Sequence, residues 1–335
     1  MLKLGIIGAG LSGLSLAILL KDLMEVTLFE KGHRPSGRIL SFDSDTCSFD
    51  LGAQYFTART KVFQDFIRPL VDLGTIKRWN AKHVRIQNGV LIERKNWMDD
   101  EPRYVGCPRM NCVAEYLSQD LNIQTSSSIS SLNKLDKWQL LEENGTIHGD
   151  FDWVVSTLPA PSAKNLLPES FKYHSTLSSV PMRPCFSLML GFENDRCIEF
   201  EAAHVLNAEI SWIAVNSHKP ERKGLYTLMV HSSMEFAEKY KAVSKSEIIQ
   251  HMIHETSQVL GQDLSSAAYK DLYKWQYANN AQKENTPILI DSDLQLAACG
   301  DWCLGGRVEG AFTSAWNLSN SIQEILYGTI NEQTK

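Results

Sequence analysis

The sequence is poor in charge. Asp, Glu, Lys and Arg make up 21% of its 335 residues, with a formal balance of −6. Without a basic excess there is no electrostatic footprint for a phosphate backbone, so nucleic acid is not an expected partner. It also has no run suited to a bilayer. Its most apolar stretch, MLKLGIIGAGLSGLSLAILL at residues 1–20, is broken by glycines, whereas a membrane helix needs about 20 consecutive apolar residues. Lys21-Asp22 follow with no small-x-small cleavage site, so the stretch does not read as a signal peptide. Seven cysteines, an odd and scattered number, make no disulfide framework. A cytoplasmic protein without membrane association is the expectation. Metal and nucleophile motifs (HExxH, GxSxG, CxxC) are missing as well. His251, His254 and Glu255 fall at i, i+3 and i+4 of one predicted helix. With no third ligand evident elsewhere, they read as a solvated face, and no metal is expected.

What is present is a βαβ opening. Residues 2–8 are strand-like, 11–21 have helical spacing, and 25–30 (EVTLFE) form a second strand ending on an acid. Between the first strand and the helix stands Gly8-Ala9-Gly10-Leu11-Ser12-Gly13, a GxGxxG in its required context. Gly8 permits the tight turn, Gly10 lets the backbone approach a pyrophosphate, and Gly13 lets helix and strand pack closely. The helix N-terminus offers unpaired N–H groups to phosphate, and Ser12 stands where a hydroxyl or amide could join them. Glu30 lies 20 residues after Gly10, where a carboxylate accepts from ribose hydroxyls. The plain alternative is a glycine turn in an unrelated α/β domain. The motif does not separate NAD from FAD.

Three further stretches carry chemistry. In Ser36-Gly37-Arg38 the guanidinium could clamp a diphosphate, although an exposed arginine is the simpler reading. In Asp50-Leu51-Gly52-Ala53-Gln54-Tyr55-Phe56, small residues precede a Gln-Tyr pair, so a planar ring could lie against the backbone; a turn with a core Phe is the alternative. The third, ACGDWCLGGRVEGAF, runs from Ala298 to Phe312. A strand over 296–299, Gly300-Asp301, a glycine turn and a helix from about Val308 could hold a charged planar ligand, with the helix N-terminus facing it. Elsewhere helices are predicted over 61–74, 110–121 and 244–260. Hairpins are predicted about Asn88-Gly89 and Asn144-Gly145, and strands over 153–158, 185–192, 210–216 and 225–231. The architecture expected is α/β (α+β): a discontinuous Rossmann-like nucleotide-binding domain over 1–60, 105–160 and 290–330. A mixed-sheet substrate domain is inserted over 61–104 and 161–289.

Taken together, MLKLGIIGAGLSGLS, the SGR loop, DLGAQYFTAR, YVGCPRM, VVSTLPAP and CGDWCLGGRVEGAF resemble the renalase family in its bacterial form, within the wider flavin amine oxidase-like group. The resemblance spans the whole chain. It implies a p-hydroxybenzoate hydroxylase-like fold and non-covalent FAD. By position it places Gly8, Gly10, Ser12 and Gly13 at the pyrophosphate and Glu30 at the ribose, with Lys31 also among the cofactor residues. Arg38 falls near the diphosphate, Gly52, Ala53, Gln54 and Tyr55 along the ring, and Ile129 at the adenine. Gly300, Asp301, Val308, Glu309, Gly310 and Ala311 complete the set. One departure is Pro35-Ser36-Gly37-Arg38, where the family usually has Gly-Gly-Arg.

The implied reaction takes hydride from the 1,2- and 1,6-dihydro isomers of NAD(P)H to flavin N5, forming NAD(P)+. Dioxygen then yields hydrogen peroxide. Candidate substrate contacts are Tyr55, Trp212, Asn216, His231, Trp275 and Tyr277, each of which could equally be core packing. Lys219 and Arg222 could meet a dinucleotide diphosphate, or belong to a solvated loop. The competing readings are a flavin amine oxidase, a non-catalytic FAD redox sensor and a flavin-free NAD dehydrogenase. Met182-Arg183-Pro184-Cys185 has no lysine of the kind that amine oxidases place near the flavin.

Overall fold

The computed structural model describes residues 1–280 and 288–333, except for the side chains of residue 99 and of 329–333. Residues 281–287, which the sequence assigned to the substrate domain, lie outside the described residues. Two compact units emerge. The first comprises 1–37, 114–182 and 280–335, and the second comprises 38–113 and 183–279.

The first unit is built on a six-stranded sheet. Its strands run in the order Asn122–Thr125, Met24–Glu30, Leu2–Ile7, Trp153–Ser156, Leu296–Ala298 and Leu289–Asp291. All neighbours pair in parallel except the last two, which are antiparallel. The central strands are nearly continuous apolar runs, as a sheet covered on both faces requires. Leu4, Ile6, Val154, Val155, Leu296 and Ala297 are fully buried. The helix Leu11–Leu20 follows the first strand as a right-handed crossover predicts, so the βαβ opening forms as read. A separate three-stranded antiparallel sheet (129–134, 138–142, 147–151) contains the hairpin about Asn144-Gly145.

The second unit centres on a seven-stranded sheet with the order 269–280, 182–192, 226–232, 210–215, 202–206, 82–87 and 90–96. Its core joins Phe186, Leu188, Leu190 and Phe192 to Leu228, Val230 and Ile213, with Ile248 and Met252 from the helix Lys245–Leu260. At the hairpin between 82–87 and 90–96, Asn88 and Gly89 both take positive φ, 52° and 73°, the turn geometry that matches strand twist.

The compact units divide at 37, 113, 182 and 279 rather than at the sequence boundaries of 60, 104, 160 and 289. The hairpin Ser41–Asp43/Ser48–Asp50 is held in the second unit by Asp50, which accepts from Met110 N–H at 2.9 Å. The same interaction shortens the predicted helix over 110–121 to Cys112–Leu117. The amides of Met110 and Asn111 are drawn to Asp50 Oδ1 and Ser41 Oγ instead of starting a helix, and Asp120 turns the chain with φ 62°. The strand Tyr269–Asn280 was not predicted. Its aromatic and charged residues alternate along an edge strand, where neither face gives a clean apolar signal.

Candidate functional site

In the first unit, strand-to-helix packing fixes the glycine motif. A Cβ on Gly13 would lie 2.0 Å from Gly8 O, so only glycine lets the helix Leu11–Leu20 sit against the opening strand. Gly10 caps that helix without any side-chain hydrogen bond, and Leu11, Ser12 and Gly13 behind it are buried. The C-terminal helix Val308–Gln333 runs beside it, and Ser12 Oγ donates to Ala311 O at 2.9 Å. Two helix N-termini therefore meet at one place, and their positive ends make a cradle for anionic phosphate. Ser12's hydroxyl is spent on this helix pairing, which leaves its amide as the group that could face a phosphate. Gly37 closes the cradle: a Cβ there would come within 2.9 Å of Gly10 Cα. This close backbone approach is what Ser36-Gly37-Arg38 preserves despite lacking the family's second glycine.

Glu30 ends its strand with both carboxylate oxygens engaged. Oε2 accepts from Ala9 N–H at 3.0 Å and Oε1 from Gly32 N–H at 2.8 Å. Each oxygen keeps lone-pair capacity for a ribose hydroxyl. Lys31 beside it is exposed, and Ile129 packs against the core of this unit. On the C-terminal side, Gly305 and Gly306 take positive φ (86° and 75°) before the helix starts at Val308. Gly300 is required sterically, since a Cβ would lie 2.4 Å from Trp302 Nε1. Trp302 is fully buried and donates to Leu158 O at 3.0 Å. Asp301 is 8% exposed, Gly310 is buried, and Val308, Glu309 and Ala311 are half-buried at the head of the helix.

The cysteines of this stretch, Cys299 and Cys303, are buried free thiols. Burial pushes the Cys299 thiol up to about 12, and burial also raises Cys303 well above its ordinary value. Both stay protonated and unreactive. Native protein treated with a disulfide reagent should therefore release thiol rapidly from exposed Cys197 and from Cys299 and Cys303 only on unfolding. Fast modification of Cys299 in the native state would contradict this burial.

The second unit holds a buried polar network that the sequence did not reveal. Asp50 is fully enclosed with Lys219 Nζ at 3.0 Å and Arg222 Nη2 at 2.6 Å from Oδ2; the side chains of all three are at most 1% exposed. Lys219 and Arg222 are thus not in a solvated loop, nor open to a diphosphate. Lys219 Nζ also donates to Gln54 Oε1 at 3.0 Å, while Gln54 Nε2 donates to Asp50 O at 2.6 Å and to Gly52 O at 3.0 Å. His231 Nε2 stands 3.4 Å from Gln54 Nε2. Asn216 is fully buried, donating to Ser48 O at 2.9 Å and accepting from Asp50 N–H at 3.4 Å. Burial alone would raise the Asp50 carboxyl, but Lys219 and Arg222 outweigh it and hold it well below the carboxylate range. Burial lowers Lys219 to about 8 against the pull of Asp50, because Arg222 shares that carboxylate. Burial, assisted by Lys219, lowers His231 to about 4, so its imidazole is neutral at pH 7. Two cations on one carboxylate leave this network with a net positive charge.

The aromatic candidates lie in this unit. Trp275 Nε1 donates to Leu51 O at 3.0 Å and Ser187 Oγ at 3.1 Å. Two positions on along the same strand, Tyr277 OH accepts from Gln276 Nε2. Tyr55 packs on Trp97 and Trp212 at centroid distances of 4.8 and 5.8 Å. Trp212 also meets His83 and His204, and its buried Nε1 has no hydrogen-bond partner among the described residues. Gly52 is fixed by Arg38, whose carbonyl oxygen would be 2.0 Å from a Cβ at Gly52 and accepts from Ala53 N–H at 2.9 Å. Arg38 Nη1 donates to Ala278 O at 3.3 Å. Asp50 and His83 were not singled out as site residues, because Lys219, Arg222 and His204 lie 169, 172 and 121 positions from them and leave no local periodicity. Among the described residues, no helix is long and apolar enough to cross a membrane.

Residues 6–70 match the NAD(P)-binding Rossmann-like domain, and residues 73–322 match the family of flavin containing amine oxidoreductases. Over 71 residues the chain is 34% identical to coproporphyrinogen III oxidase of Staphylococcus aureus, a match covering 20% of this chain and 15% of that protein. A solved putative protoporphyrinogen oxidase from Exiguobacterium superposes with a TM-score of 0.77 at 12% identity, over 96% of this chain and 98% of that one. A redesigned putrescine oxidase gives 0.71 at 13% identity, over 96% and 99%. At such identities the structural likeness speaks for the fold alone, a Rossmann-like domain in a mixed α/β architecture. The family match covers most of the sequence, and the glycine cradle of the first unit fits a dinucleotide: the chain belongs to the flavin containing amine oxidoreductases, with FAD as its cofactor.

Proposed function

We propose that the protein is a FAD-dependent oxidase of dihydronicotinamides, taking hydride from the 1,2- and 1,6-dihydro isomers of NAD(P)H and leaving NAD(P)+. The residues that would hold FAD are Gly8, Gly10, Ser12, Gly13 and Glu30, with Lys31, Ile129, Gly300, Asp301 and Val308–Ala311, all in the first unit. The resemblance to the renalase family also assigns Arg38 and Gly52–Tyr55 to the cofactor. Held there, FAD would supply a two-electron acceptor for the hydride and a route for the electron pair to dioxygen, giving hydrogen peroxide.

The observation that carries this reading is the net positive charge of the Asp50–Lys219–Arg222 network, beside a neutral His231. Acting through the low-dielectric interior and without either cation touching the ligand, that buried charge disfavours a cationic polyamine and favours an anionic substrate such as a dinucleotide. The aromatic candidates Tyr55, Trp212, Trp275 and Tyr277 would stack and orient a planar ring. A dihydropyridine releases hydride without prior deprotonation, so orientation and exclusion of water suffice and no side-chain base is required. Lys219 fixes the amide of Gln54, and Gln54 in turn holds the 50–54 turn in shape.

The test is anaerobic mixing of FAD-loaded protein with 1,2- or 1,6-dihydro-NAD, with putrescine, or with coproporphyrinogen III, followed by flavin absorbance. Rapid bleaching by a dihydronicotinamide isomer, with peroxide on admitting air, is the expected result. Bleaching by putrescine alone would move the activity to amine oxidation. Bleaching by the porphyrinogen alone would favour the reaction named for the Staphylococcus relative. No bleaching by any of them would leave a flavin-binding redox sensor.

A further inference from the structure

We propose that Glu209, His251 and Glu255 form a surface binding site for a divalent transition metal ion such as Zn2+. One ligand atom from each of the three lies within 4.8 Å of the others. His251 and Glu255 are one helical turn apart on the helix Lys245–Leu260, so both point from one face. Glu209 comes from the turn between the strands 202–206 and 210–215, forty-two positions away from His251. The sequence reading took His251 and Glu255 for a solvated face because this third residue is not visible by spacing. His254 does face solvent; His251 and Glu255 are half-buried.

The three groups are held in place before any ion arrives. His251 Nε2 is 2.5 Å from Glu209 Oε2. Its ring packs on Phe236 and Tyr240, with centroids at 5.1 and 5.6 Å, which sets the imidazole plane. The Glu209 backbone is anchored by Ser233 N–H, which donates to its carbonyl at 2.7 Å. Zinc binds imidazole nitrogen and carboxylate oxygen at about 2.0–2.2 Å, so two ligands on one ion stand roughly 3–4 Å apart. Small rotations of the half-exposed glutamates bring the two oxygens and the nitrogen to that spacing, and the ion takes the place of the hydrogen that His251 and Glu209 now share. One imidazole and two carboxylates neutralise a divalent charge, and water completes the coordination, as in zinc sites with three protein ligands. The nearby cation is Lys239, which is in electrostatic contact with Glu209 and competes with the ion for it.

The site is independent of the flavin chemistry, so its test does not depend on turnover. Chelator-treated, FAD-loaded protein is titrated calorimetrically with ZnCl2. One equivalent should bind, with a rise in melting temperature. His251→Ala and Glu209→Gln should each weaken binding by roughly tenfold or more. His254→Ala should leave it unchanged, and Lys239→Met should tighten it. Because a histidine packed on aromatics could matter for folding, Glu255→Gln on the helix surface gives a milder variant with the same expected loss. Cobalt(II) should give a spectrum free of thiolate charge-transfer bands. No uptake, uptake insensitive to Glu209, His251 and Glu255, or a thiolate spectrum arising from Cys197 would overturn the proposal.

Discussion

Gly13→Ala is expected to purify without FAD and with a clearly lowered melting temperature. The added Cβ would stand 2.0 Å from Gly8 O. That carbonyl cannot withdraw, because Thr157 Oγ1 donates to it at 2.9 Å and Gly8 N–H donates to Phe29 O at 2.8 Å. The helix must lift from the sheet, at a cost of about 1–3 kcal/mol, which exceeds the ~1 kcal/mol that alanine returns through helix propensity. Gly10→Ala is the informative contrast. Its Cβ would meet Gly37 Cα at 3.5 Å and Gly37 N at 4.0 Å, ordinary contacts. That variant should keep its melting temperature within the equivalent of ~1 kcal/mol and still lose FAD if, as proposed, a pyrophosphate needs close approach to the Gly10 backbone. FAD content by absorbance and thermal melts of the two apoproteins decide the matter. If both variants retain FAD, or both lose stability equally, the division between a packing glycine and a ligand glycine is wrong.

The second large effect is expected at Asp50. Asp50→Asn keeps the shape but removes the carboxylate that contacts both buried cations, and should destabilise the protein by about 3–5 kcal/mol. Pairing it with Lys219→Met should recover part of the loss, because one buried positive charge is removed along with the negative one. Urea denaturation of the single and double variants measures this, and additive losses would show that the three groups do not act as a network. The pH dependence has two arms. Asp50's folded pKa lies below its unfolded value near 3.8, so its contribution is complete above that pH and is lost as the pH falls below it. Lys219 behaves oppositely to a stabilising lysine. Burial lowers it to about 8 from 10.5, so between these values the unfolded chain holds the proton more tightly, and this group's contribution to stability rises with pH. Unfolding free energies measured from pH 3 to 10 in the parent and in Lys219→Met separate the two arms.

The legible part of this protein is the part whose physics is local. GIIGAGLSG followed by EVTLFE is read as strand, glycine turn, helix and acid because each signal depends on neighbours within a few residues. The structure has Gly8, Gly10 and Gly13 at the turn between the first strand and its helix and in that helix's first turn, and Glu30 at the end of the second strand. The hairpin at Asn88-Gly89 and the helix Lys245–Leu260 were legible for the same reason, one through its φ > 0 turn and the other through Ser244 at the N-cap and Gly261 at the end. Even CGDWCLGGRVEGAF yielded its helix start, since two glycines in left-handed conformation precede Val308.

The charged interior was not legible. Lys219-Pro-Glu-Arg222 looks like solvated loop by composition, and its lysine and arginine are nevertheless among the most enclosed charges in the described chain. What buries them is Asp50, 169 and 172 positions away, and no spacing rule connects such partners. Likewise His251 reads as a surface residue until the fold brings Glu209 to its Nε2. By itself the sequence determined the strand, glycine turn and helix of the opening βαβ unit, because glycine sterics and helix termini act within a few residues. Only the tertiary structure decided which charges are buried and who neutralises them, because desolvation and Coulomb attraction depend on distance in space rather than along the chain.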